Sequence, residues 1–240
     1  MTLIAVVLLL CSVVVYWAQI IIFHDAPHTF FYLLQDLAFV PIQVMLVVLL
    51  IERLLEEREK QAMLHKLNMV IGAFFSELGT RLLGEVTPAV EGREQVRERL
   101  ALKGDWRRHD FEQAIGFARQ FAYKINLGQL DLEALRDSLV SKREFMLRLL
   151  ENPNLLEHER FTDLLWAIFH LTEELSARAS LRNLSENDRV HLAEDTRRAY
   201  SQLAAEWVAY AQHLQAAYPF LFSLVVRTHP MQERPSAAIA

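Results

Sequence analysis

Histidine and carboxylate side chains recur at helical spacing in the last third of the 240-residue sequence. His170 is followed three and four residues later by glutamates, and Asp188 is followed three and seven residues later by His191 and Asp195, so each set would share one helix face. Carboxylate-bridged metal bundles use such faces, but their usual signature is Glu-x-x-His, whereas these sets run His-x-x-Glu and Asp-x-x-His. We therefore interpret both sets as solvated charge on amphipathic helices. The alternative is a metal-dependent enzyme with the candidate ligands His170, Glu173, Asp188, His191 and Asp195.

A second polar set lies in the apolar N-terminal region. An acidic side chain inside a membrane is costly and indicates function by default, which singles out Asp36. If the apolar runs on either side of residues 24–29 form two antiparallel spans, Gln19 lies at a matching depth. We then expect a Gln19–Asp36 hydrogen bond that packs the hairpin or an oligomer. The alternative is an oligomeric channel-like assembly in which Asp36 and Gln43, two turns further along the same face, line or brace the pore.

The link between the two apolar runs carries a third set, His24, Asp25 and His28. Imidazole and carboxylate at close spacing can hold a divalent ion or respond to pH. Pro27 disrupts helical spacing between the two histidines, so we interpret these residues as an external loop that caps a helix and contacts lipid headgroups.

The remaining sequence offers no starting point for catalysis. It contains no nucleophile elbow, P-loop, glycine-rich dinucleotide loop or His-Glu-x-x-His motif. Its single cysteine, Cys11, excludes an intramolecular disulfide framework and a cysteine zinc site. The 25 basic and 30 acidic side chains leave a net charge of −5, which does not favour nucleic acid as a partner. We therefore expect no catalytic residues and no cofactor.

The elements that position these residues begin with two predicted transmembrane helices, at about 3–23 and 30–51. The first contains no charged residue, and its 21 residues would extend about 31 Å, enough to span a hydrocarbon core. A cleaved signal peptide is the alternative, but a basic n-region is missing. Because no Lys or Arg precedes Arg53, the positive-inside rule places both termini in the cytoplasm of a multi-pass inner-membrane protein.

The second span is expected to continue into a helical stalk over 52–84, because neither Gly nor Pro occurs between Pro41 and Gly72. An apolar face on this stalk is either part of a bundle core or a self-association seam. That face consists of Leu64, Leu67, Ile71, Phe74 and Leu78.

Helical patterns continue to the C-terminal region, and no alternating strand pattern is found. We expect helices at about 88–102, 106–126, 131–151, 156–182 and 186–217. Their N-terminal caps are predicted at Thr87, Asp105, Asp131 and Ser185. The predicted fold is all-α: a transmembrane hairpin over 1–51, the stalk, a cytosolic helical bundle over 85–229, and a flexible tail over 230–240. The apolar stretch 218–226 of the bundle is expected in its core, and docking to the membrane surface or to the stalk is the alternative.

Several strings in this sequence resemble a family of prokaryotic membrane proteins. They are FHDAPHTFFYLLQDLAFVPIQVMLVVLLIERLLEEREK, NMVIGAFFSELGT, WAIFHLTEEL and YPFLFSLVVRTHP. The resemblance covers nearly the whole chain and implies two membrane spans with a cytosolic α-helical domain. It brings no activity, cofactor or site residue.

Together these observations favour a non-enzymatic integral membrane protein. Its cytosolic helical domain is expected to act as a partner-binding, scaffolding or signal-reporting module. The expected partners are the lipid bilayer, further copies of the chain in a homo-oligomer, and a cytosolic protein.

Overall fold

The structure, a computed structural model, describes residues 2–23, 26–156, 158–232 and 235–238. This described part is all-α, as predicted, and its extended pairing is limited to one isolated bridge between Val90 and Ile125. The chain divides into two compact units, which we call the N-terminal unit, Met1–Gln61, and the helical domain, Ala62–Ala240. The division falls inside the segment predicted as a stalk.

The helices follow one another with short connections. Those that begin before residue 90 are α1 (Thr2–Phe23), α2 (Ala26–Phe74), a π-helical turn (Phe75–Gly79), α3 (Thr80–Val86) and a 3-10 turn (Thr87–Ala89). The next are α4 (Arg93–Leu100), α5 (Arg108–Gln120), a 3-10 turn (Leu127–Gln129), α6 (Leu132–Ser141) and α7 (Arg143–Leu150). The last are α8 (Pro153–Leu156), α9 (Glu159–Ser176), α10 (Glu186–Ala217) and α11 (Pro219–Thr228).

The N-terminal unit contains α1 and most of α2. Within the described residues, one helical segment, Pro27–Lys60, is long and apolar enough to cross a bilayer, and none of its most apolar window is buried. The segment Leu10–Ile22 of α1 is apolar as well, but it is shorter. Pro41 lies inside α2, which continues past it. The second of the two expected spans is thus matched by a suitable helix, and the first stays a prediction.

The helical domain is built around one hydrophobic core. Leu67, Ile71, Phe74 and Leu78 are all buried in it, together with apolar residues of every later helix from α3 to α11. The apolar face of the predicted stalk is therefore part of a bundle core in this chain and not a free seam. The side chain of Leu64, the first member of that face, lies outside the described set.

Two of the predicted helix caps are confirmed. The carboxylate of Asp131 accepts a hydrogen bond from the backbone N–H of Ala134 at 2.9 Å, and α6 begins directly after it. The hydroxyl of Ser185 accepts one from the N–H of Asp188 at 3.1 Å, and α10 begins at the next residue. Each side chain satisfies a backbone donor that the first helical turn leaves without a partner.

The other two predicted caps are wrong. Thr87 donates its hydroxyl hydrogen to the carbonyl oxygen of Leu83 at 2.6 Å, so it closes the preceding helix, and α4 starts only after Gly92, whose φ is 72°. Asp105 precedes α5 by three residues. The α5 start is held instead by Asp110, which accepts a hydrogen bond from the N–H of Arg107 at 2.7 Å.

Further boundaries differ from the prediction. The helices expected over 106–126 and 156–182 end earlier, at Gln120 and Ser176. The helix expected over 131–151 is divided at Lys142, whose φ of −107° and ψ of 6° lie outside helical geometry. The tail expected to be flexible from Pro230 begins as packed structure. His229 and Met231 are buried in the core, and Gln232 donates its side-chain amide to the carbonyl of Val226 at 2.9 Å. These contacts hold the chain against α11 beyond the point where its helical pattern ends.

Candidate metal centre

Two neighbouring helices of the domain carry the same pair of residue types at the same spacing. α9 presents His170 and Glu174, and α10 presents His191 and Asp195, each pair at i and i+4 on one helix face. Leu171 and Leu192, which directly follow the two histidines, are buried in the core. Because these leucines fix the rotation of both helices, the two polar pairs face each other at the edge of the bundle.

The four polar side chains form one compact cluster. His170 Nε2 lies 3.9 Å from Glu174 Oε1 and 3.5 Å from Asp195 Oδ2. His191 Nε2 lies 3.4 Å from Glu174 Oε2 and 3.3 Å from Asp195 Oδ2. One ligand atom from each of the four residues can be chosen so that all lie within 4.8 Å of one another. Two imidazole nitrogens and two carboxylate oxygens therefore converge on one point.

Burial is uneven across this cluster. The side chain of Asp195 is only 2% exposed, whereas those of His170 and His191 are 47% and 51% exposed. Oδ2 of Asp195 is buried and accepts no hydrogen bond, and Oδ1 lies 3.5 Å from Nη1 of Arg198. A buried carboxylate oxygen without a partner is costly, so this atom marks the deep end of a site that opens to solvent at the histidines.

Arg178, just after the end of α9, supports the cluster from outside. It donates a hydrogen bond to Glu174 Oε2 at 2.8 Å and another to Asp188 Oδ1 at 3.1 Å. The bond from Arg178 is the main reason why the pKa of Glu174 lies below its ordinary value, and the contact with His191 adds a smaller contribution. The pKa of Asp188 is lowered first by the hydroxyl of Ser185 and then by Arg178. Both carboxylates are therefore charged at neutral pH.

The structure sorts the five metal-ligand candidates of the sequence. It brings His170, His191 and Asp195 together, but Glu173 lies outside the cluster and pairs with Arg143 at 2.9 Å. Asp188 contributes only through Arg178. Glu174, the fourth member, is the glutamate four residues after His170, and it is not among the candidate ligands because the Glu-x-x-His signature has i, i+3 spacing. The signal that finds it is the repeated His-x-x-x-acid spacing on two consecutive helices.

The polar residues of the N-terminal unit are arranged differently from the prediction. The hydroxyl of Tyr16 donates a hydrogen bond to Asp36 Oδ2 at 3.1 Å, and the predicted bond from Gln19 is not formed. Tyr16 precedes Gln19 by three residues, so both share one helix face, and the longer tyrosine side chain takes the position beside the carboxylate. Gln43 is exposed. His24 and Asp25 lie outside the described residues, and His28 is exposed.

A groove of about 490 Å³ lies between the start of the helical domain and its last two helices. Its lining includes the stacked rings of Phe75 and Tyr210, whose centroids are 5.0 Å apart. Leu221 and Leu224 of α11 also line it and are exposed, while Phe222 on the same helix is buried. The stretch predicted to lie in the core is thus split between the core and an open apolar groove.

Comparison with known proteins adds a family but no activity. Residues 63–227 match the family model described as "Uncharacterized protein MJ1433, C-terminal helical domain", and residues 1–55 match "MJ1433, N-terminal helical domain". The chain is 40% identical over 234 residues to "Uncharacterized protein MJ1433" of Methanocaldococcus jannaschii, an alignment that covers 98% of this chain and 94% of that protein. No solved structure matches. The gap between the two family matches contains the division of the chain at Gln61.

Proposed function

This chain belongs to the family of proteins with the MJ1433 N-terminal and C-terminal helical domains, and on that premise we propose that its N-terminal unit anchors the helical domain in a membrane. The observation that carries the proposal is the apolar segment Pro27–Lys60, whose most apolar window buries no residue within the chain. Within the helical domain, by contrast, the apolar faces of the helices from α3 onwards are packed into one core.

The size of this uncovered surface argues for lipid. Leu46, Val47, Leu49 and Leu50 are consecutive or nearly so on α2, and each is more than half exposed. Burying one such side chain contributes about 1.5–3 kcal/mol, so leaving the whole row in water would cost many times that amount. No charged residue lies between Asp36 and Glu52. A bilayer covers such a surface without requiring a partner of matching shape.

The proposed topology has two spans, with α1 as the first. The earliest basic residue of the chain, Arg53, follows the second apolar run, which supports a cytoplasmic position for both termini in the cell membrane. In this arrangement the helical domain is a non-enzymatic cytosolic module that binds a partner or reports a signal. The groove beside Phe75 and Tyr210 supports a partner-binding role, because it offers apolar surface that the chain itself leaves open.

The anchor is tested by placing charge in the apolar row. We expect the double variant Leu46→Arg, Leu49→Arg to leave the membrane pellet on alkaline carbonate extraction, because each central arginine costs about 2.5–3.5 kcal/mol on insertion. The control variant is Val140→Arg, Trp166→Arg, which changes two exposed apolar residues of the helical domain. It should remain in the pellet with the unmodified chain. If carbonate extracts the unmodified chain, the anchor proposal fails.

The molecular mass of the protein in detergent distinguishes the partner-binding module from the alternative role, a channel-like assembly. One or two hairpins cannot enclose a pore, so a monomer or dimer supports the module. A ring of four or more copies would favour the channel, with Asp36 near its axis.

A further inference from the structure

We propose that His170, Glu174, His191 and Asp195 bind one divalent transition-metal ion per chain, with Zn²⁺ as the preferred ion, and that the ion links α9 to α10. This inference goes beyond the proposed anchor and does not depend on it, because all four ligands belong to the helical domain.

The spacing of the donor atoms is close to that of a zinc site. Zn–N and Zn–O bonds of about 2.0–2.1 Å place the atoms of a tetrahedral ligand set about 3.3–3.4 Å apart. The four distances between a histidine nitrogen and a carboxylate oxygen in this cluster are 3.3, 3.4, 3.5 and 3.9 Å. Three of these distances lie within about 0.2 Å of the tetrahedral value, although the 3.4 Å distance is measured to Oε2 of Glu174 and the 3.9 Å distance to its Oε1. A set with one ligand atom from each residue lies within 4.8 Å, so the side chains would draw together by up to about 1.4 Å around the ion.

The unpartnered oxygen of Asp195 points to a cation independently of that spacing. Oδ2 is buried and accepts no hydrogen bond, although imidazole nitrogens of His170 and His191 lie 3.5 and 3.3 Å away. If protonated histidines neutralised this carboxylate, their N–H groups would be expected to donate hydrogen bonds to Oδ2. A cation between the three atoms satisfies the oxygen and uses the neutral imidazole lone pairs at the same time.

The surrounding arginines orient the carboxylates as outer partners of a metal site usually do. Arg178 holds Oε2 of Glu174, which leaves Oε1, 3.9 Å from His170 Nε2, free for the ion. Arg198 lies 3.5 Å from Oδ1 of Asp195, on the opposite oxygen from the cluster. Asp195 therefore has one oxygen held from outside and one directed inward, whereas Glu174 has Oε1 beside His170 and its Oε2 between Arg178 and His191.

The donor set also selects the class of ion and its role. Imidazole nitrogens favour Zn²⁺ and its neighbours over Mg²⁺ and Ca²⁺, which prefer oxygen ligands throughout. Four protein ligands fill a tetrahedral site, whereas catalytic zinc keeps one position open. Because the two histidines are about half exposed, the ion can enter from solvent. The site thus suits a structural or sensory ion that joins two helices on loading.

The test uses the full chain purified in detergent, stripped with a chelator and titrated with ZnCl₂ against a competing zinc indicator. We expect one Zn²⁺ per chain by elemental analysis, and a higher midpoint of thermal unfolding after loading. Co²⁺ in place of Zn²⁺ should give the intense visible absorption of tetrahedral coordination. Absence of stoichiometric binding, or a weak octahedral Co²⁺ spectrum, would overturn the proposal.

Matched variants separate this site from adventitious binding. Loss of an outer partner of a metal ligand typically weakens metal binding by about 10–100-fold. Since His170→Ala and Glu174→Gln each remove a ligand itself, each should weaken Zn²⁺ binding by about 100-fold or more. The controls change the same residue types outside the cluster: Glu173→Gln, next to the ligand on α9, and His109→Ala, an exposed histidine of α5. They should bind as the unmodified chain does. Equal loss in ligand and control variants, or no loss in either, would refute the assignment.

The ligand variants are expected to fold as the unmodified chain does. His170 is half exposed, so its replacement leaves the core intact, and circular dichroism of each stripped variant checks this directly. Asp195→Asn offers a further variant that keeps the size of the buried side chain. It should lose zinc binding while it retains helix content.

Discussion

Replacing Gly79 by alanine should destabilise the helical domain, against the usual effect of such a change in a helix. Gly79 ends the π-helical turn Phe75–Gly79. A Cβ built on it would lie 2.6 Å from a ring carbon of Phe74 and 2.6 Å from one of Phe75. Since carbon atoms in contact are normally about 3.5–4.0 Å apart, the rings would have to retreat by about 1 Å.

Neither ring has room to retreat. Phe74 packs edge-on against Phe161 with 5.1 Å between centroids, and Phe75 stacks on Tyr210 at 5.0 Å. Overpacking of this kind costs about 1–3 kcal/mol. Replacing glycine by alanine inside a helix gains about 0.8–1.0 kcal/mol, so the net effect at Gly79 ranges from near zero to a loss of about 2 kcal/mol.

Gly116 provides the matched control, because it lies inside α5 and a Cβ there would meet nothing within 4 Å. Gly116→Ala should therefore show the helix gain alone. At about 2–4 °C per kcal/mol for a chain of this size, it should raise the midpoint of thermal unfolding by about 2–4 °C. The difference between the two variants isolates the overpacking cost and should be about 1–3 kcal/mol.

The assay is thermal unfolding of the chelator-stripped full chain, followed by circular dichroism in one detergent. Stabilisation of both variants by the same amount would show that the rings beside Gly79 are not packed as described, and would refute the reasoning about the π-helical turn.

Two further predictions concern polar groups whose partners the structure identifies. His229 is buried beside Trp207, and burial lowers its pKa to about 4. Because the unfolded chain binds this proton near pH 6.5, the free energy of unfolding should fall as the pH falls from about 6.5 to about 4, by about 3 kcal/mol in all. His229→Gln should flatten that slope in pH-dependent urea unfolding, and an unchanged slope would contradict a buried neutral imidazole. In the N-terminal unit, Tyr16→Phe should weaken the pairing of α1 with α2 by about 0.6–1 kcal/mol in SDS titration, because it removes the donor to Asp36. Gln19→Leu should leave the pairing unchanged, and the reverse order of effects would restore the bond expected from the sequence.

The sequence predicts the structural features that depend on contacts between residues close together in the chain. Asp131 and Ser185 cap their helices through backbone donors three residues away, so the signal and the contact lie in the same short segment. The all-α class follows from helical spacing along the chain. The cap predicted at Thr87 is wrong because its hydroxyl can bond either to a backbone N–H of the following helix or to the carbonyl of Leu83, and it bonds to the carbonyl. Residue types alone do not show which of these two hydrogen bonds forms.

Features set by the rotation of one helix against another could be predicted only in part. The sequence placed His170, His191 and Asp195 on amphipathic helices, but it could not say whether Glu173 or Glu174 faces them. The two glutamates lie about 100° apart around the helix axis. The core side chains Leu171 and Leu192 decide between them, and their partners come from distant segments. For the same reason Tyr16 and Gln19 could not be ranked as partners of Asp36.

The metal site and the membrane anchor are each inferred from an interaction that the chain leaves incomplete at a free-energy cost. Burial of charge alone is not such an interaction: Glu206 is buried within α10, yet it has Arg119 at 3.7 Å, and the raised pKa that its burial causes favours the neutral form. Glu173 is likewise paired with Arg143. Oδ2 of Asp195 is different, because the two imidazoles beside it donate no hydrogen bond to it. The apolar row of α2 is different for the corresponding reason, since no side chain covers it. A metal ion would satisfy Oδ2 of Asp195, and a bilayer would cover the apolar row of α2. The zinc titration of the chelator-stripped chain tests the first partner, and the carbonate extraction tests the second.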